Sequence, residues 1–315
     1  MLKKIIGILC PVFNEEENIV DFYKAYLEIQ NQINKKYEIH FLFLDNRSLD
    51  NSFIILKKLS RHNKNVSLIR YSKNFGVMKS IYTGLINVPS KWHAIAVFDC
   101  DLQDPPNLLI EFIKEFEKGN DVIYGKRIKR NESYVQKTFR FFYTVLSKIL
   151  IKNKPDIESG AWLLSNKVVN QLKKKSYYVP YLPGLINSLG FNLKKVEYTR
   201  LIRVKGKAKF NFLSYFYYAI DSIIGSTLSP LRISVFLSII FAIVSCGSTI
   251  YFLLAKFIFN IEFQEGIAAI IIILLFNFSL NFLILGIMGE YIGRIFKNDE
   301  IKSPAIIDEK INLKL

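Results

Sequence analysis

Short apolar runs alternate with amphipathic ones through the first 130 residues, and that rhythm narrows the fold more than any other feature. Ile5 to Cys10, Ile39 to Leu44, Val66 to Tyr71, Ala94 to Phe98 and Val122 to Tyr124 read as strands. Between them, Glu16 to about Gln30, Ser52 to Leu59, Val77 to Ile86 and Leu108 to Lys118 read as helices. A βαβα succession implies an α/β fold with a mostly parallel sheet covered by helices on both faces. Ligands of such sheets sit outside the carboxyl ends of the strands. The polar groups Asn14/Glu15, Asp45, Lys73/Asn74, Asp99/Asp101 and Arg127 each follow a strand, so they should meet at one rim.

The densest of these strand ends is Val97-Phe98-Asp99-Cys100-Asp101-Leu102-Gln103-Asp104-Pro105-Pro106. The two prolines force a turn, because proline cannot continue a ladder. If the strand runs on through them, Asp99 and Asp101 share a side. Two readings fit these residues. Paired carboxylates at a strand end suit a hard divalent cation carrying a nucleotide diphosphate. Alternatively, they cap the helix that begins near Asn107.

Other patterns bound the function. No Gly-x-Gly-x-x-Gly follows the first strand and no Gly-x-x-x-x-Gly-Lys-Ser/Thr occurs, which weakens a dinucleotide or P-loop reading. Cys10, Cys100 and Cys246 have no paired spacing, which argues against a disulfide framework or a zinc site. The net charge of +16 allows nucleic acid, an anionic membrane face or phosphorylated substrates, and the apolar segments described below favour the last two. Met1 to Cys10 meets Pro11 and an acidic run with no cleavage site, so it reads as a first strand and not a signal peptide.

Further along, Glu132 to Lys152 reads as a basic, aromatic helix. Asp156 to Leu164 should return to the sheet, Tyr177 to Leu189 is a loop leading into a helix, and Leu193 to Val204 is extended. Arg203 to Lys209 is either a solvated charge run or a cationic flap over a phosphate. Asn211 to Leu228 has an apolar, aromatic helical face suited to a membrane interface. Ile233 to Ala255 and Ile267 to Met288 carry no charge, and each is long enough to cross a bilayer. Their connector holds Glu262 and Glu265. The outer flanks hold Arg232, Arg294 and Lys297, which places both ends in the cytoplasm. The expected organisation is a catalytic domain over 1–210, a juxtamembrane helix over 211–230, a two-helix hairpin over 231–296 and a cytoplasmic tail over 297–315.

Pro11-Val12-Phe13-Asn14-Glu15, the Asp45 turn, Ser72-Lys73-Asn74-Phe75-Gly76 and Asp99-Cys100-Asp101-Leu102-Gln103-Asp104-Pro105-Pro106 together resemble the inverting family-two glycosyltransferases of GT-A fold. Within them the chain is similar to the polyprenyl-phosphate glycosyltransferases. Tyr124-Gly125-Lys126-Arg127, Arg200 to Lys209 and Gly289 to Arg294 extend the match. The resemblance implies that Pro11, Phe13, Glu15 and Asp45 hold the nucleoside. It implies that Asp99 and the backbone of Cys100 contact ribose or phosphate, and that Asp101, the residue on which catalysis depends, binds Mg2+ or Mn2+ with Gln103. Arg127, Arg203 and Lys209 would engage phosphate. The implied partners are a nucleotide-sugar donor, undecaprenyl phosphate and the inner membrane, with a possible second copy of the chain and no nucleic acid.

Three positions depart from the family pattern. The usual Asp-Asp-Gly-Ser turn is Asp45-Asn46-Arg47-Ser48, Gly160 stands where an acidic residue is often proposed as base, and Trp162 replaces an arginine. No base is carried over to Gly160. Asp156 and Glu158 nearby read as loop residues. Trp162 either stacks on a sugar or packs in the core. Two other functions remain beside the leading one. A processive polysaccharide synthase would normally carry Gln-x-x-Arg-Trp, which is missing here. A non-catalytic lipid-phosphate scaffold would keep the fold without the chemistry.

Overall fold

The computed structural model describes residues 3–33, 35–128, 134–150, 160–174, 182–201, 229–236, 266–300 and 305–313, with isolated positions between 223 and 258. Arg203, Lys209, Asp156, Glu158, most of the expected juxtamembrane helix and most of the first expected span lie outside them.

Eight strands form one sheet: β1 (Lys4–Val12), β2 (Tyr37–Asp45), β3 (Val66–Tyr71), β4 (Trp92–Val97), β5 (Val122–Arg127), β6 (Trp162–Ser165), β7 (Leu193–Tyr198) and β8 (Ile307–Ile311). The spatial order is β7-β5-β6-β4-β1-β2-β3-β8. The chain winds outward from β1 to β2 and β3, then returns to place β4 on the other side of β1. That reversal between β1 and β4 is the topological switch point, where a crevice opens at the carboxyl ends. Two strands run against the rest. β6 lies antiparallel between β4 and β5, and β8 lies antiparallel on β3.

The helices cover both faces, as the alternation predicts. α1 (Ile19–Ile33), α2 (Ser52–His62) and α4 (Leu108–Glu117) lie on one side. Their Phe22, Tyr26, Leu56 and Phe112 pack with Ile6, Ile8 and Phe43 of the sheet. α3 (Val77–Ile86), α6 (Asn166–Leu172) and α7 (Leu182–Ser188) cover the other, where Tyr82, Leu85, Val169 and Ile186 meet Leu9, Leu44 and Ile95. β1 and β4 are buried on both faces, which is why they read as unbroken apolar runs and not as alternating ones. Trp162 is 1% exposed inside the second cluster, so it packs in the core and does not reach a ligand.

α5 (Tyr134–Leu150) falls within the expected basic helix. Of the expected return over Asp156 to Leu164, 156–159 lie outside the described residues and the strand is Trp162–Ser165; α6 follows it directly, a helix no sequence signal marks. The strand from Leu193 ends at Tyr198. α8 (Ile267–Glu300) contains the second expected span and runs twelve residues past its end at Met288. Over the residues whose side chains are described, no helix is long and apolar enough to cross a membrane. Several residues of α8 lie outside that set.

Candidate active site

The rim at the carboxyl ends brings together the end of β1, the turns after β2 and β3, and the loop after β4. The first two are laced by short bonds. The backbone N–H of Asn14 donates to Ser48 Oγ at 3.0 Å and that of Glu15 to Ser52 Oγ at 2.9 Å. The Leu49 N–H donates to Asn14 Oδ1 at 2.8 Å, and Asn51 donates twice to Glu16 Oε2 at 2.9 Å. Asp45 is fully buried at the end of β2. Its Oδ1 accepts from the Ser48 N–H at 3.0 Å, and its Oδ2 faces Arg70 Nε at 3.3 Å. Asn46 ties this turn to the next one, accepting from the Phe75 N–H at 3.2 Å and donating to the Gly76 carbonyl at 3.4 Å.

Among the described residues, four non-glycine positions have left-handed backbone: Asn14 (φ 51), Arg47 (φ 62), Leu102 (φ 53) and Asn312 (φ 54). The first three lie on the rim. Such conformations cost of order 1–3 kcal/mol each and persist only where surrounding contacts enforce them.

The strand β4 stops at Val97, although the Phe98 N–H still reaches the Leu9 carbonyl at 3.1 Å. The expected alternation through Asp99 and Asp101 therefore does not operate. A turn with Leu102 at positive φ brings the acids together instead. The Gln103 N–H closes it onto Asp101 Oδ1 at 3.2 Å. The aspartates do not cap the following helix: Asn107 occupies that position and no side chain caps it. Asp99 keeps part of its surface open to the crevice. Burial, reinforced by Asp104 and Asp101, still pushes its carboxyl up to about 7.

Asp104 is the residue the sequence reading left without a role. It is 2% exposed, and its Oδ1 accepts from the Tyr198 hydroxyl at 2.5 Å. Arg127 Nη2 is 3.4 Å from the same oxygen and Arg200 Nε is 3.8 Å from it. Arg127 Nε also donates to the Tyr198 hydroxyl at 3.0 Å. Burial works against the charge on Arg127, but Asp104 and Tyr198 outweigh it and hold the guanidinium above its ordinary value. Asp104 Oδ2 and Arg200 Nε are buried without a hydrogen-bond partner. The sequence does hold a signal for this set: Asp104 opens the Pro-Pro turn, and Tyr198 and Arg200 alternate at the exit of a strand.

Of the expected site residues, Pro11, Phe13, Glu15, Asp45, Asp99, Cys100, Asp101, Gln103 and Arg127 all stand on this rim. Glu15 Oε2 accepts from Asn18 Nδ2 at 2.6 Å, and Gln103 Nε2 donates to the Leu201 carbonyl at 3.4 Å. The Cys10 and Cys100 thiols are both free and buried, and burial with the neighbouring Cys100 thiol pushes Cys10 up. A Cβ on Gly160 would lie 3.2 Å from Arg127 Nη2 and 3.5 Å from the Tyr198 hydroxyl. The missing acid would therefore have faced this same arginine.

The chain is similar to known proteins along nearly its whole length. An uncharacterized glycosyltransferase, YkcC, of Bacillus subtilis (strain 168) is 33% identical over 310 residues, 96% of this chain and 93% of that protein. A prophage bactoprenol glucosyl transferase homolog of Escherichia coli (strain K12) is 29% identical, covering 97% of this chain and 99% of that one. Among solved structures, mannosyl-3-phosphoglycerate synthase from Rubrobacter xylanophilus superposes with a TM-score of 0.52 at 12% identity, over 71% of this chain and 74% of that chain. This likeness shows a shared GT-A-like α/β fold. The model of glycosyl transferase family 2 matches residues 8–173, and with them the rim from β1 to Gly160. The chain belongs to that family and is a glycosyltransferase.

Proposed function

We propose that this chain is a membrane-anchored, inverting glycosyltransferase that moves a sugar from a nucleotide-sugar donor to undecaprenyl phosphate at the cytoplasmic face of the inner membrane. One observation carries the reading: Asp99, Asp101 and Asp104 crowd the switch point of the sheet, with Arg127 and Arg200 directly behind. Relatives named as bactoprenol glucosyl transferases support the lipid acceptor, since this chain aligns with them almost end to end.

The donor set suits a divalent cation. Asp99 resists ionisation beside Asp104 and Asp101, and Asp104 Oδ2 is buried without a hydrogen-bond partner, so a cation here would favour the ionised carboxylates. Among the described residues no three acidic, cysteine or histidine side chains close on one point. Mg2+ is commonly held that way, by one or two carboxylates plus substrate phosphates. Asp101 and Gln103 would hold Mg2+ or Mn2+. A bound cation would offset charge gathering on the leaving diphosphate. The glucosyl-3-phosphoglycerate synthase of Mycobacterium tuberculosis, which shares the fold with a TM-score of 0.50 at 13% identity, was solved with Mn2+, UDP and phosphoglyceric acid.

Pro11, Phe13, Glu15 and Asp45 would hold the nucleoside, and Asp99 with the Cys100 backbone the ribose or phosphate. Arg127, Arg203 and Lys209 would hold the phosphates. A phosphate oxygen of the acceptor would attack the anomeric carbon from the face opposite the leaving group, which inverts the configuration. No base is required at Gly160, because a phosphate monoester has a second pKa of about 6 and is largely dianionic at neutral pH.

Anchoring rests on α8. Its stretch from Ile267 to Met288 is uncharged, and Ile270, Ile273, Phe282 and Leu285 are exposed. The deciding experiment offers a panel of nucleotide sugars with undecaprenyl phosphate and Mn2+ to purified protein. A lipid-linked sugar is expected from wild type and none from Asp101→Ala. Full activity of that variant under controlled metal rejects the site, and no lipid product from any donor rejects the acceptor.

A further inference from the structure

The last strand of the sheet comes from the far end of the chain. β8 pairs with β3, and the register slips between Arg70 and Tyr71. Arg70 faces Glu309 and Tyr71 faces Ile307, which leaves Asp308 as the extra residue of a bulge. Bulges turn a side chain away from its regular direction. Here the Asp308 carboxylate meets Arg47, with Nη1 to Oδ2 at 2.6 Å.

Arg47 is the left-handed residue in the turn that carries Asp45. Glycine adopts that conformation freely, whereas an arginine needs outside support. Ser48 is tied to Asn14 and Asp45, and Asn46 to the Phe75–Gly76 turn, but the Arg47 side chain itself is held from the tail strand. A second contact reaches the same turn from behind. Arg70, which faces Asp45 Oδ2, stands opposite Glu309 of β8, and Glu309 takes Lys57 Nζ at 2.8 Å. The Ser72 N–H donates to the Ile306 carbonyl at 3.0 Å, fixing the entry to β8 beside the turn after β3.

We propose that Asp308 is a positioning residue of the donor site. By clasping Arg47 it holds the Asp45–Ser48 turn in the shape that receives a nucleoside diphosphate, so donor affinity depends on the C-terminal strand. The pair neutralises Arg47 and keeps its guanidinium turned towards the tail and away from the crevice. The inference rests on the nucleotide-donor reading above, and it assigns to the tail a role that the match over residues 8–173 does not include.

The test uses the full chain in detergent. UDP and GDP are titrated with Mn2+ present, and steady-state transfer is followed in parallel, for wild type, Asp308→Asn, Asp308→Glu, Arg47→Gly and the Arg47→Gly/Asp308→Asn double variant. Half-exposed ion pairs are worth little, so the expected effect of Asp308→Asn is modest. It should weaken nucleotide binding and raise donor KM by about two- to fivefold, with kcat unchanged. Asp308→Glu should recover most of the loss. In the Arg47→Gly background, Asp308→Asn should change nothing further, because glycine holds the turn unaided. Wild-type affinity in Asp308→Asn overturns the inference, as does an equal loss in both backgrounds, which would mark a general role in folding. If wild type binds neither nucleotide, the donor reading fails and this one falls with it.

Discussion

The Tyr198 hydroxyl donates to Asp104 at 2.5 Å and accepts from Arg127 at 3.0 Å, so one phenol joins a buried acid to the arginine beside it. Burial and the adjacent Asp104 push its pKa well up, which keeps it a donor at any working pH. Tyr198→Phe leaves Asp104 with guanidinium contacts only, at 3.4 and 3.8 Å. Losing a buried hydrogen bond to a charged group costs about 1.5–3 kcal/mol. The expected result is a free energy of unfolding lower by that amount, read from the urea midpoint and slope, and a roughly tenfold drop in transfer rate as Arg127 loses its Nε partner. An unchanged rate with the stability loss present would show that Arg127 does not depend on the phenol.

Gly7 sits in the middle of β1 directly beneath the Trp92 ring. A Cβ there would come within 1.9 to 2.8 Å of three ring atoms. Trp92 is 1% exposed and has nowhere to go without disturbing the core. Gly7→Ala should destabilise the protein by about 3 kcal/mol, at the upper end for overpacking, and shift the tryptophan emission in the folded state. Equilibrium unfolding followed by fluorescence measures both effects.

The sheet was legible because its central strands are buried on both faces and their apolar runs are continuous. The elements that escaped have physical reasons. α6 begins at the residue following β6, so no turn signal separates them. β8 is a strand of five residues with the pattern Ile-Asp-Glu-Lys-Ile, in which Ile311 packs on one core cluster and Ile307 on the other, either side of a bulge, so no apolar alternation marks it. At the rim, Asp45, Asp99, Asp101 and Arg127 are legible as strand ends because convergence follows from parallel topology alone. Asp104 and Arg200 depend instead on how a loop and a strand exit fold onto each other, through the Leu201 N–H to the Gln103 carbonyl at 2.8 Å. No periodicity encodes that contact.

Asp99 gives the metal-free protein a distinctive pH dependence. Its folded carboxyl titrates near 7, above the ordinary 3.8. Between those values the unfolded chain has released a proton that the folded chain still holds. The contribution of Asp99 to stability is therefore greatest below about pH 4, falls as pH rises towards 7 and then levels off, with each unit of difference worth about 1.4 kcal/mol. Asp99→Asn cannot ionise. With chelator present, its melting temperature should exceed that of wild type at pH 7.5 and nearly equal it at pH 4. Melting curves that stay parallel across this range would rule out the assignment.

Asn46 is 4% exposed and works as both donor and acceptor, giving its amide to the Gly76 carbonyl and taking the Phe75 N–H. Where the family turn carries a second aspartate, this chain needs a group that can do both. Asn46→Asp keeps the acceptor but sets a carboxylate against the Gly76 carbonyl. Burial then favours the protonated acid, which can donate as the amide did. The substituted carboxyl would titrate above its unfolded value, so its stabilising contribution is present at low pH and lost as pH rises through the folded pKa. The variant should match wild type near pH 4 and be about 1–3 kcal/mol less stable at pH 8, with donor KM rising over the same interval as the Phe75–Gly76 loop loosens. Urea midpoints at the two pH values, set beside donor KM at each, test whether the bond from Asn46 to Gly76 holds the two rim turns together.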